Sequence, residues 1–186
     1  MRPNWFLAFP ISGAFLGDLP SPPPAVRLFH RDDVHLTLTF LGPVPRPAAE
    51  RAFAAFEEKF QQTPFAPLQI SLGEVVGMGR PSEYTALSAL LVQGRETLEE
   101  ILGSFRAAIA EAAGVRPDRR PPKPHVTLAR PKRRATPEER ALGLSWASSL
   151  ELSAETLLER VALYTWNEMR RERWFQTVRE VPLIGK

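Results

Sequence analysis

The stretch VHLTLTFLG, residues 34–42, alternates apolar and polar side chains, and PHVTLAR, residues 124–130, repeats its core ninety residues later. Alternation of this kind reads as a half-buried β-strand, because successive side chains on a strand point to opposite faces. An ideal first strand puts His35, Thr37 and Thr39 on one face and Val34, Leu36, Leu38 and Phe40 on the other. The second puts His125, Thr127 and Ala129 together, with Val126 and Leu128 behind. Arg130 then points away from His125, unless the strand ends or bends there, which Pro131 permits. The chain has only three histidines, and two of them open these stretches.

Residues two apart on a strand are separated by about 6–7 Å, so one His-x-Thr pair can converge on one small group. Two such walls facing each other give two imidazoles and two hydroxyls around one centre. That set suits in-line chemistry at phosphorus. One neutral imidazole takes a proton from water, and one imidazolium gives a proton to the leaving oxygen. The hydroxyls donate to the non-bridging oxygens. The third histidine, His30, reads as a surface residue in FHRDD, and Asp32 and Asp33 read as a polar turn before the strand.

Away from these motifs, the 186 residues fit one domain, with 44% hydrophobic and 24% charged residues in an ordinary globular balance. The absence of cysteine rules out a disulfide framework, cysteine-ligated zinc and a thiol nucleophile, and fits a reducing cytoplasm. The first twenty residues contain no run of 18 apolar residues, so they read as an opening strand rather than a signal peptide or membrane span. Net charge is +3, but residues 116–134 hold eight Lys/Arg and one acid around the second motif. That clustering points to an anionic ligand such as phosphate or RNA.

Short runs predict strands over 5–11, 35–41, 65–75, 84–92, 125–129, 158–166 and 174–183. Helices are predicted over 46–60, where Phe53, Phe56 and Phe60 share a stripe, and over 97–114. The latter opens with Thr97 and Glu100 as a capping box, and its stripe is Leu98, Ile101, Leu102, Phe105, Ile109 and Ala112. A third helix starts at Thr136 with Pro137 and Glu139, a second capping box, and runs to about Trp146. Proline-rich stretches at 20–26, 42–47 and 120–124 mark loops, and GMGRPS, residues 77–82, reads as a turn. Mixed strands and helices make this an α+β chain. Each half has an opening strand, a His-x-Thr strand and a following helix. The expected organisation is one bilobal domain over 1–186 with two pseudo-repeats, about 1–82 and 83–186, whose lobes share strands. Other chemistries have little support: there is no G-x-S-x-G elbow, no P-loop and no H-E-x-x-H.

The pair HLTLTFLG and HVTLAR resembles the H-x-T-x signatures of the 2H phosphoesterases, and more closely the RNA 2′,3′-cyclic phosphodiesterases of the LigT type, also called 2′-5′ RNA ligases. The likeness covers essentially the whole chain. It implies a bilobal, pseudo-symmetric α+β fold in which two antiparallel sheets face a central cleft, with helices outside. It implies opening of a terminal 2′,3′-cyclic phosphate to a 2′-phosphate without metal or other cofactor, and in some members 2′-5′ RNA ligation. By that resemblance His35 and His125 are catalytic, His35 as acid at the leaving O3′ and His125 as base on water. Thr37, Thr127 and Arg130 bind the phosphate. Candidate RNA contacts are Phe40, Lys123, Arg133, Arg134 and Trp174. The chain departs from the family in its short proline-rich 12–26, where a long helix is common, and in Thr39, where lysine is frequent. Trp174 stands where tyrosine is frequent. The expected partner is RNA with a cyclic phosphate end, or a small cyclic nucleotide, acted on by a cytoplasmic monomer with no membrane association. A non-catalytic RNA-end binder using the same cleft is the alternative.

Overall fold

The computed structural model describes residues 2–169 and 172–184. Among the described residues, nine strands and three α-helices follow one another. They are β1 (Trp5–Pro10), β2 (Val26–Leu28), β3 (His35–Gly42), α1 (Arg46–Gln62), β4 (Leu68–Met78), β5 (Ala86–Gln93), α2 (Arg95–Ala112), β6 (His125–Pro131), α3 (Pro137–Ser148), β7 (Ala154–Leu158), β8 (Arg160–Trp166) and β9 (Phe175–Pro182). The strands are ordered β7-β4-β5-β6-β3-β1-β8-β9, every pairing antiparallel, with β2 on β6. The two expected sheets are therefore arms of one continuous ladder. They meet at its middle, where β3 and β6 pair through Leu36 opposite Val126.

The order of pairing is informative. β4 follows the first motif strand in sequence but pairs with β5 of the second half. β8 follows the second motif strand but pairs with β1 of the first half. Each arm thus combines strands from both halves of the chain. Between β5 and β6 runs the long helix α2. The corresponding link between β1 and β3 has only a 3-10 turn, Ala14–Asp18, the short β2 and a second 3-10 turn at Arg31–Asp33. Five prolines from Pro10 to Pro24 explain the shortness, since proline lacks the N–H a helix needs.

Helices α1 and α2 pack on each other, α2 on β3 and α1 on β1, while α3 packs on β4. Phe53, Phe56 and Phe60 of α1 are all buried. Phe56 meets Phe105 of α2 with ring centroids 5.5 Å apart. The capping box at Thr136 is present: its side chain accepts from the Glu139 N–H, and the Glu139 carboxylate accepts from the Thr136 N–H. The one expected at Thr97 is not. α2 begins two residues earlier, after Gly94 at φ 81°, so Thr97 lies inside the first turn. Glycine tolerates that backbone where other residues are strained, and this local turn chemistry outweighs the Thr97–Glu100 pattern. Strand β7 was hidden because AETLL, at 154–158, alternates too weakly to stand apart from the run that follows it.

Candidate active site

Both motif strands carry the same irregularity. In the β1–β3 pair, Ala8 lies opposite Thr37 and the next residue back, Leu7, lies opposite Thr39, so Leu38 is an extra residue in a bulge. In the β5–β6 pair, Ser88 lies opposite Thr127 and Leu87 opposite Ala129, so Leu128 is extra in the same way. A bulge of this kind reverses the inward–outward phase beyond it. The third residue after each threonine therefore returns to the face of the histidine: Phe40 in the first motif, Arg130 in the second.

This corrects three readings made on ideal strand geometry. Phe40 is not behind the strand; it is 60% exposed and lines the pocket. Thr39 does not face the phosphate; it is buried, and its hydroxyl has no partner. The charge that a lysine at this position would carry is thus not missing from the pocket wall. Arg130 does face the histidines, because of the bulge at Leu128 rather than a strand end at Pro131. Thr39→Val tests the bulge. Removing a buried hydroxyl without a partner is expected to raise stability by about 1 kcal/mol, read as a higher melting temperature, with turnover unchanged. If the substitution instead impairs turnover, Thr39 faces the cleft and the strand is flat.

Antiparallel pairing at Leu36 and Val126 sets the flanking positions. His35 stands across from Thr127, and Thr37 across from His125. Opposed residues in such a pair have Cα atoms about 4.5–5.5 Å apart. The two His-x-Thr pairs thus form a four-cornered cluster at the seam between the arms, with Leu36 and Val126 turned into the core behind it.

Each imidazole is held alike. His35 Nδ1 donates to the Asp33 carbonyl at 2.6 Å, and His125 Nδ1 donates to the Lys123 carbonyl at 2.7 Å. A carbonyl only accepts, so the proton is on Nδ1 in both rings. Nε2 is then the unprotonated nitrogen of each neutral ring. The carbonyl comes from the residue two before the histidine in each motif, a signal the side-chain sequence does not carry.

The two histidines differ in surroundings. His35 is 8% exposed and sits among Phe6, Phe175 and Tyr164, with ring centroids 4.8, 5.4 and 5.6 Å away. Burial pulls its pKa from 6.5 to about 4, helped by the positive charge of Arg130 and opposed by the Asp33 carbonyl. His125 is partly open to solvent at the cleft edge. The His35 shift makes stability depend on pH. Folded His35 resists protonation down to about pH 4, while an unfolded chain takes up the proton near 6.5. The contribution is therefore complete above about pH 6.5 and is lost as pH falls toward 4, by about 3 kcal/mol. Denaturant unfolding at pH 7 and at pH 4.5 measures it, and His35→Gln should flatten the difference. An unchanged pH slope in that variant would mean the imidazole is not buried this way.

A cavity of about 360 Å³ opens beside His35, lined by Asn4, Phe6, Thr37, Phe40, Arg130, Pro131, Trp166, Trp174 and Phe175. It gathers five of the expected residues, His35, Thr37, Phe40, Arg130 and Trp174. The Arg130 guanidinium lies 5.6 Å from the Phe29 ring and 5.8 Å from Trp174, and Arg27 lies 4.8 Å over Trp174. One face of Trp174 is therefore occupied, whereas Phe40 is open. Lys123 is exposed at the other edge, beside His125. Arg133 and Arg134 fall in an exposed turn after β6, outside the cavity lining.

Asp33 is the residue that sequence reasoning placed least well. It lies in the polar turn as expected, but it is 1% exposed. Its carboxylate accepts from the backbone N–H groups of Trp174 at 2.6 Å and Phe175 at 3.2 Å. One residue thus orients His35 through its carbonyl and fastens the aromatic wall of the pocket through its side chain. Only the spacing from His35 hinted at it. His30 is exposed as expected, accepting from the Asp32 N–H. A larger groove of about 760 Å³ lies on the far side of the Arg31–Val34 turn. Its arginines are engaged with acids, Arg160 with Glu180 at 3.3 Å and Arg173 with Asp32 at 3.8 Å. Among the described residues no group of three or more His, Cys, Asp or Glu side chains is placed to hold a metal ion, and no helix is long and apolar enough to cross a membrane.

Residues 22–170, which contain both motif strands, match the family described as the 2′-5′ RNA ligase superfamily. The chain belongs to that superfamily. It is also 32% identical over 199 aligned residues to an RNA 2′,3′-cyclic phosphodiesterase of Geobacillus stearothermophilus, covering 99% of this chain but 58% of that relative's length. Its fold matches the TT0787 protein of Thermus thermophilus, with a TM-score of 0.73, 19% identity and 98% and 99% of the two chains covered. It likewise matches E. coli LigT complexed with 3′-AMP, with a TM-score of 0.70, 18% identity and the same coverage. The superfamily fold is thus the α+β arrangement expected, and in this chain β1 and β3 are joined by two short 3-10 turns and β2.

Proposed function

We propose that this superfamily member hydrolyses a terminal 2′,3′-cyclic phosphate on RNA to a 2′-phosphate. The observation that carries the reading is the pairing of two His-x-Thr-Leu bulges across Leu36 and Val126, with both Nδ1 atoms held by backbone carbonyls. Support also comes from the relative named as an RNA 2′,3′-cyclic phosphodiesterase. His125, at the open edge, takes a proton from water as its oxygen attacks phosphorus. The P–O3′ bond breaks, and O3′ receives a proton from His35, which lies against the aromatic wall where a nucleoside fits. In the free protein burial keeps His35 neutral. A bound phosphate monoanion next to the ring favours the imidazolium and opposes that shift. Thr37, Thr127 and Arg130 donate to the non-bridging oxygens, which is the charge stabilisation a metal would otherwise provide.

Phe40 offers the open stacking face for the terminal base, and Trp174 closes the wall. Lys123, Arg133 and Arg134 act on the RNA backbone as long-range cations. The two halves, divided near residue 82, are read as repeats that exchange one strand each, β4 and β8. The chain works as a monomer in a reducing cytoplasm, for which the absence of cysteine is the support. In 2′-5′ ligation a 5′-hydroxyl takes the place of water: it gives its proton to His125 as it attacks phosphorus, and O3′ again leaves with a proton from His35.

The test is turnover with EDTA present, comparing an oligoribonucleotide that ends in a 2′,3′-cyclic phosphate with 2′,3′-cyclic AMP. The oligonucleotide should be turned over with the lower KM. Binding without turnover would favour an RNA-end binder. Equal kcat/KM for the two would make the substrate a small cyclic nucleotide. Activity abolished by EDTA and restored by a divalent ion would overturn the metal-free scheme.

A further inference from the structure

The two threonines of the cleft have different neighbours. Thr37 lies opposite Ala8, which carries no hydroxyl. Thr127 lies opposite Ser88, whose Oγ is 3.1 Å from the Thr127 Oγ1. Ser88 is fully buried, whereas Thr127 is 9% exposed at the cleft. A hydroxyl carries one proton and accepts through its lone pairs. A buried hydroxyl proton needs an acceptor, and among the described residues the only one on Ser88 is Thr127 Oγ1. The direction follows: Ser88 donates and Thr127 accepts. The Thr127 proton is then directed away from Ser88, toward the cleft.

We propose that Ser88 is a positioning residue, which fixes the Thr127 hydroxyl as a hydrogen-bond donor to a phosphoryl oxygen on the water side of the reaction. This rests on the cyclic-phosphate reading for its role in turnover, but not for its role in phosphate binding. The ordering is one-sided. Thr127 is held and polarised by a second hydroxyl, while the Ala8 opposite Thr37 offers none. The two halves of the cleft are thus differentiated by the residue each opening strand presents to its motif.

Ser88→Ala, Thr127→Val and the double variant test it with two readouts. In turnover of 2′,3′-cyclic AMP, Ser88→Ala should lower kcat by roughly fivefold with KM within about twofold. The double variant should match Thr127→Val alone. In titrations with inorganic phosphate followed by NMR, Ser88→Ala should weaken binding by a similar factor, again with no further loss in the double variant. A Ser88→Ala protein with wild-type kcat and wild-type phosphate affinity overturns the proposal. So does an undiminished Ser88→Ala effect in the Thr127→Val background, which would mark a role in packing only. If the wild-type protein does not turn over the cyclic phosphate at all, the functional reading fails, and the phosphate titration alone decides for Ser88.

Discussion

Alanine at either His35 or His125 is expected to lower turnover of a 2′,3′-cyclic phosphate by about 10²–10⁴, the usual worth of one general acid or base. The prediction rests on the two His-x-Thr pairs meeting at the β3–β6 seam while both Nδ1 atoms are held by backbone carbonyls. The residues act as a unit, so the double variant should be little worse than either single one. Steady-state rates on 2′,3′-cyclic AMP measure this, with circular dichroism confirming that each variant folds. His35→Ala also removes a ring packed against Phe6, so its melting temperature needs checking as well. Near-normal turnover in either variant would sink the paired acid–base scheme.

Asp33→Ala is expected to cost stability on the order of 3–5 kcal/mol. Its carboxylate is the acceptor for two backbone N–H groups, those of Trp174 and Phe175. Each buried donor left without a partner costs about 1–3 kcal/mol, more where the acceptor was charged. Arg173 also loses the carboxylate 3.8 Å from its Nε. For a chain of this length 1 kcal/mol moves the melting temperature by about 2–4 °C, so a fall of roughly 10 °C or more is expected. Asp33→Asn keeps one acceptor oxygen and should fall between. An alanine variant that melts within about 2 °C of wild type would show that these contacts do not hold the β8–β9 hairpin to the His35 turn.

Much of the site was legible from residue types. His35, Thr37, His125 and Thr127 stand on one face because the two-residue period placed them there, and the period holds as far as each threonine. It fails one residue later, at Leu38 and Leu128, because no side chain distinguishes a bulged leucine from a paired one. The faces of Phe40, Thr39 and Arg130 differ from those of an ideal strand for that single reason. The helices were found where aromatic or aliphatic residues recur at helical spacing, as at Phe53, Phe56 and Phe60. The start of α2 was missed because its capping depends on the backbone of Gly94, not on a side chain. Asp33 and Ser88 were beyond reach for a different reason. Their partners, Trp174 and Thr127, lie 141 and 39 residues away and are known only once the strands are paired.

The central claim is that the two motif strands make one centre at which water attacks phosphorus and O3′ leaves. The most direct measurement maps the product end after an oligoribonucleotide 2′,3′-cyclic phosphate is hydrolysed in ¹⁸O-labelled water with EDTA present. The account predicts a 2′-phosphate carrying one ¹⁸O, formed by the wild-type protein and lost in His125→Ala. A 3′-phosphate product, or a labelled 2′-phosphate formed equally well by His125→Ala, would contradict it.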